Sequence, residues 1–317
     1  MVALAIFGTL CASDPAKSEE ISVTQWGNSL YGLPFAVAMD KEMFQKAGIS
    51  ITGILGSGGG GTTVRNILAS PTPYGEVAIA AALAAAREGL DLEIVNVGTR
   101  SVAESSIVTM PASPIHSLED LVGKKIAVTS PKSVSEMLYL LDLRAKGIDA
   151  SKISRVYSGG YGPGLTMLEQ GAVSAAVLIE PLSIIKKAQY RTVVAARDIL
   201  PPMTTSVGIT TRAYAKANPD KLRAIIAGRR AGVDFIYAHP DEAAVILQKS
   251  YGLDAAVAKE AVDNMIGPKM WSDGEFNQTE LDRMVDALRL IDEVKGTVDW
   301  PTLIDRTFLP ADLQGKQ

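Results

Sequence analysis

Short apolar runs and runs with helical spacing take turns along the first hundred residues. Residues 21–26 (ISVTQW) alternate as a strand does and end at Gly27, and 33–47 repeat apolar positions at helical spacing. Residues 49–55 form a second strand pattern that runs into a glycine cluster, from which a helix opens over 62–68. A short apolar stretch at 76–80, an alanine-rich helix over 81–88 and a strand over 92–97 follow. Strands alternating with helices of this length predict βαβ units and a mainly parallel sheet.

The same alternation restarts further on. Ser117 and Asp120 have capping-box spacing ahead of a strand at 124–129, and a helix over 134–146 stops at Gly147. A helix over 165–170 stops at Gly171, and 174–179 reads as a buried strand. Two extended segments, 105–110 and 204–210, bracket this middle block, and helix patterns dominate beyond Pro219, at 222–239, 241–250 and 279–294. The predicted architecture is α/β with two lobes, each a mainly parallel sheet flanked by helices, joined by two hinge crossings. Residues 20–106 and 206–317 form the first lobe, residues 107–205 the second, and residues 1–19 a truncated leader. A cleft between lobes is a natural place for a ligand and for hinge closure.

Four turns rich in Gly, Ser and Thr sit where helices begin: 27–29 (GNS), 56–63 (GSGGGGTT), 129–133 (TSPKS) and 158–164 (SGGYGPG). A strand–glycine turn–helix start aims free backbone N–H groups at the turn, where the helix dipole favours negative charge. The spacing Gly56-x-Gly58-x-x-Gly61 meets the dinucleotide fingerprint, but it follows the second predicted strand and Glu76 lies too near and ahead of its strand. Read as a phosphate loop, it has Thr62 where the lysine belongs. A flexible loop is one remaining reading. The other is a backbone nest with Ser57, Thr62 and Thr63 as hydroxyl donors.

Composition adds exclusions. A net charge of −4 over 317 residues lacks the basic footprint of a nucleic-acid binder, and no apolar run reaches the roughly 18–20 residues of a membrane span. Residues 2–10 are apolar, with small residues at 11–13, like the end of a secretory signal without its basic start. Cys11 is the only cysteine, so cleavage beyond it leaves no thiol; lipidation of Cys11 is the alternative, against which Leu10 speaks. His116 and His239 have no second histidine or cysteine at metal spacing, and Gly-x-Ser-x-Gly is absent. The residues therefore predict neither a metal nor a cofactor, and a binding protein rather than an enzyme.

Several segments together resemble the solute-binding proteins of ABC importers, in the sulfonate, taurine, nitrate and thiamin-pyrimidine-precursor group. They are 113–128 (SPIHSLEDLVGKKIAV), 147–153 (GIDASKI), 168–181 (LEQGAVSAAVLIEP), 239–244 (HPDEAA) and 32–34 (GLP). Ser174 stands where that group usually has aspartate, the glycine cluster is longer than usual, and the cysteine-rich motif of the eukaryotic pyrimidine-synthesising relatives is missing. The resemblance implies a periplasmic-binding-protein type II fold and a secreted, periplasmic, monomeric receptor. Its partners would be a small ligand and an ABC permease with its ATPase. The alternative is an enzyme on the same fold, such as one of pyrimidine biosynthesis.

The expected ligand-binding residues are Trp26, Asn28, Ser57, Gly58, Thr62, Ser133, Tyr161 and Glu180. Trp26 and Tyr161 are aromatic walls for a planar group, or core packing. Ser133 and Lys132 meet an anion at a helix start, or form a solvated cap. Glu180, before Pro181 at a strand end, accepts from a ligand donor or pairs with a nearby helix; the resemblance favours the ligand role. A carboxylate in the cleft disfavours a purely anionic ligand. Arg100 reads as a surface arginine ahead of a clamp.

Overall fold

The computed structural model describes residues 19–131 and 133–315. The predicted leader and Cys11 lie outside the described residues, as does Lys132. The first lobe begins with β1 (Glu19–Thr24), α1 (Leu33–Asp40), α2 (Met43–Ala47), β2 (Ile51–Ser57), α3 (Gly60–Ala69), β3 (Tyr74–Ala78), α4 (Ile79–Arg87) and β4 (Glu93–Thr99). The chain then crosses into β5 (Ser105–Thr109), β6 (Lys125–Val128), α5 (Val134–Ala145), β7 (Ser154–Tyr157), α6 (Tyr161–Glu169), β8 (Ala175–Ile179), α7 (Leu182–Ile185) and β9 (Arg191–Ala195). It returns through β10 (Ser206–Thr210) to α8 (Arg212–Ala217), α9 (Pro219–Ala238), α10 (Pro240–Tyr251), α11 (Ala255–Ile266) and α12 (Gln278–Arg289).

The two sheets share one plan. Their orders are β2-β1-β3-β10-β4 and β7-β6-β8-β5-β9. In each, the first three strands are parallel and the fourth, β10 or β5, runs against both neighbours. Those reversed strands are the two extended segments foreseen as crossings. Each sheet is therefore mixed, because a strand entering from the other lobe arrives from the opposite end.

The crossings lie side by side. Thr205 donates its backbone N–H to Thr99 O at 2.9 Å, and the Thr99 hydroxyl lies 2.6 Å from those of Thr205 and Ser206. The Glu180 N–H donates to Glu104 O at 2.8 Å. Apolar burial is divided likewise: one core joins Val23, Phe35, Val97 and Val207 to Ile225 and Val233 of α9, and two smaller ones cover the faces of the second sheet. Edge strand β4 is buried throughout, because Ile304 and Trp271 bridge to it and cover its free side.

Candidate ligand-binding cleft

Parallel strands put their C-terminal ends, and the helix starts that follow, on one edge of a sheet. Here the two edges face each other across a cavity of about 570 Å³. The first lobe lines it with Thr24, Gln25, Ser29 and Tyr31 after β1, Gly58 to Gly61 after β2, and Ala78, Ala80 and Ala81 after β3. The second contributes Thr129, Ser130 and Ser133 to Ser135 after β6, then Gly159, Gly160 and Tyr161 after β7. Glu104 enters from the crossing between β4 and β5.

Four helices, α3, α4, α5 and α6, start at this cavity. The Ser133 side chain caps α5 by accepting from Glu136 N at 3.2 Å. By contrast, α3, α4 and α6 have no side-chain cap and no acidic residue in the first turn. Free N–H groups at a helix start form a ready anion site. Ser158 fixes the turn before α6 by donating to Val128 O at 3.1 Å and Gly160 O at 2.8 Å.

Gly58 and Gly59 have no internal reason to be glycine. Neither has a positive φ, Gly59 being extended at −167°, and a Cβ on either would meet nothing within 4 Å. The space they leave belongs to the cleft. Gly60 differs: its Cβ would lie 2.5 Å from Ala81 Cβ, so its absence lets α3 approach α4.

Among the described lining residues, Glu104 is the one charged side chain. Burial pushes its carboxyl up to about 8, the Leu30 N–H opposing this and the charge of Glu180 adding to it. The phenols of Tyr31 and Tyr161 are pushed up by burial and by Glu104. A second, apolar cavity of about 30 Å³ shares Tyr31, Ala78, Ala80 and Val134 with the cleft and is also lined by Met137, Met284 and Leu288.

Of the residues expected from sequence, Gly58, Ser133 and Tyr161 line this cavity and the others lie elsewhere. Trp26 packs edge-on against Tyr251, with ring centroids 5.3 Å apart, and fills the space a Gly32 side chain would need. Asn28 is exposed. Ser57 donates to Gly59 O at 3.3 Å and so braces the glycine turn from behind, while Thr62 accepts from Arg65 at 3.0 Å. Glu180 accepts from Arg197 at 2.7 Å and from Asn264 of α11 at 3.0 Å, the pairing foreseen as its other role. Burial raises its carboxyl, and Arg197 opposes the rise. Arg100 pairs with Glu280 on α12. Sequence reasoning passed over Glu104, whose signal is a lone carboxylate inside a run of small and apolar residues (102–106) just ahead of the crossing strand.

Two mixed sheets facing across such a cleft define a two-lobed periplasmic-binding-protein fold. The chain belongs to the NMT1/THI5-like family, which it matches over residues 30–243. No curated protein sequence matches it. Among solved structures, it resembles the periplasmic aliphatic sulphonate-binding protein SsuA from Escherichia coli, with 20% identity over 96% of each chain and a TM-score of 0.75. It also resembles the alkanesulfonate-binding protein SsuA from Xanthomonas axonopodis pv. citri bound to MOPS, with 16% identity over 93% of this chain and 100% of that one and a TM-score of 0.71. The desulfurization enzyme DszB shares the fold as well, with 13% identity over 92% of this chain and 97% of that one and a TM-score of 0.67.

Proposed function

We propose that this protein is an extracytoplasmic solute-binding protein, which closes two lobes on a small polar organic molecule and delivers it to an ABC permease. The observation that carries this reading is the cleft itself. Both lobes supply backbone donors and hydroxyls to one cavity, and three of its helix starts lack caps. The sulphonate-binding proteins of the same fold support it. The lobes are taken as residues 20–106 with 206–317, and residues 107–205, the first crossing falling at the start of β5, whose Ser105 already pairs in the second sheet. Binding works by population shift: a ligand touching both lobes only when they are closed stabilises the closed state by its differential contacts. The protein acts as a monomer and leaves its cargo unchanged.

The test is a thermal-shift screen of the full chain against sulfonates, carboxylates, nitrate and pyrimidine precursors. A ligand at a thousand times its dissociation constant should stabilise by about 4 kcal/mol, several degrees for a chain of this length. Recovery of the ligand intact supports a receptor, whereas its turnover supports the enzyme reading. Absence of any shift across the panel, from folded and ligand-free protein, would count against both this ligand range and the receptor role.

Gly58→Val provides a second check. A Cβ at this position meets no protein atom within 4 Å, so the melting temperature should change little. Affinity for any ligand found in the screen should fall at least tenfold, as the added methyls occupy the space at the α3 start. Unchanged affinity would remove the glycine turn from the site.

A further inference from the structure

Glu104 differs from four other buried glutamates of this chain. Glu76 has Arg229 at 2.8 Å, Glu136 has Arg155 at 2.7 Å, Glu180 has Arg197 at 2.7 Å, and Glu280 has Arg100. Each of those four carboxylates is thus neutralised by a guanidinium. Glu104 is also buried, at 8% exposed, yet its Oε2 accepts one long hydrogen bond, from the Leu30 N–H at 3.5 Å. Instead of facing an arginine it opens on the cleft.

The described ionisable groups around it cannot supply the missing charge. They are the phenols of Tyr31 ahead of α1, Tyr161 at the start of α6 and Tyr251 at the end of α10, the Glu180 carboxylate after β8, and the Arg197 guanidinium, which reaches Ala103 O at 3.5 Å but is engaged by Glu180 at 2.7 Å. A carboxylate taken out of water without a counter-charge is costly unless it is protonated or something charged arrives. The cavity is large enough for a small molecule to bring that charge. Its other polar feature has the opposite preference: the uncapped starts of α3, α4 and α6 carry no acidic residue and favour negative charge.

We infer that Glu104 is the specificity-determining residue of the cleft, pairing with a protonated nitrogen of the ligand while the uncapped helix starts hold its anionic group. The ligand class is therefore a small zwitterion. This rests on the solute-binding reading above and narrows it. A protein built this way prefers zwitterions to bare oxyanions, because only the former bring a partner for the ionised Glu104.

Calorimetry on the full chain at pH 7 tests the inference with two pairs of probes. One pair is 2-aminoethanesulfonate and ethanesulfonate; the other is 3-aminopropanoate and propanoate. At least one aminated probe should bind at least tenfold more tightly than its amine-free counterpart. Repeating the titration in buffers of different ionisation enthalpy should show proton release. With its carboxyl held up to about 8, Glu104 is largely protonated at pH 7, so pairing should release a proton from it. Glu104→Gln should abolish both the release and the preference, leaving the amine-free probes bound as before. The release is read on the unaltered protein, so the test survives poor folding of the variant. Equal affinity within both pairs, no binding by either aminated probe, or tenfold discrimination retained by E104Q would overturn the inference. The solute-binding reading stands or falls separately, on whether any compound of the wider screen binds.

Discussion

Replacing Arg229 with alanine is expected to destabilise the protein by about 3–5 kcal/mol, the cost of leaving a buried charge without its partner. The Arg229 side chain is 1% exposed and its partner Glu76 is fully buried. Its guanidinium donates to Glu76 Oε2 at 2.8 Å, Ser272 O at 2.7 Å and Gly98 O at 2.6 Å, and its carbon stacks 5.5 Å from the Phe35 ring centre. The other Glu76 oxygen accepts from the Ser206 hydroxyl at 2.6 Å. One side chain of α9 thus ties together β3, β4 and the loop at Ser272, and its partner Glu76 extends the link to β10. R229A strands the Glu76 carboxylate and two carbonyls at once. Because β3 leads directly into α4, whose start lines the cleft, the loss should also loosen the first lobe's side of the site. Denaturant unfolding of the wild type and R229A measures the effect. The double variant Glu76→Gln, Arg229→Met should recover part of it, since the stranded charge goes with its partner. A loss below about 1 kcal/mol for R229A would mean that water or another group takes over the role of the guanidinium.

Elements whose own residues carry the signal were legible in the sequence. The alternation of apolar runs with helical spacing located the strands from β1 to β4, and the paired extended segments located the crossings, both of which are buried throughout. Strands β7 and β9 were passed over. They are edge strands of four and five residues, half-exposed and interrupted by arginine, and their pairing comes from the neighbouring strand. The helix expected over 33–47 divides because Glu42 adopts φ 55°, a left-handed conformation that spacing alone does not announce. Helix α6 starts four residues before its apolar run, inside the glycine turn, since Pro163 is tolerated in a first turn.

The same distinction runs through the site. Gly58, Ser133 and Tyr161 sit in turns that precede helices, so their place on the cleft follows from local sequence. The partner of Trp26 is Tyr251, 225 residues further on, and only the tertiary fold brings the two rings together. Glu104 was hidden for a related reason. Its significance is that no described arginine or lysine pairs with it, which no local pattern records. Glu180 has such an arginine, Arg197, seventeen positions away and beyond another strand.

Substituting Asp142 is expected to change how stability depends on pH more than any other replacement in the second lobe. Asp142 lies in α5, is 1% exposed, and its Oδ1 has no hydrogen-bond partner. Burial alone raises its carboxyl from 3.8 to about 7. In the unfolded chain the group ionises near its ordinary value, so between about pH 4 and 7 the folded state holds the extra proton. Stability therefore falls as pH rises through that window and is level above it. A shift of this size corresponds to about 2–4 kcal/mol between pH 4.5 and 8.5. Asp142→Asn cannot ionise and should lose that much less stability over the same interval. Both proteins keep Glu104, whose raised carboxyl acts in the same direction, so the difference between their profiles isolates Asp142. The measurement is denaturant unfolding at the two pH values for each protein. Parallel profiles would mean that water reaches the Asp142 carboxylate in the native state and solvates its charge. Divergent profiles would mark α5 as carrying a buried acid that the cleft does not use.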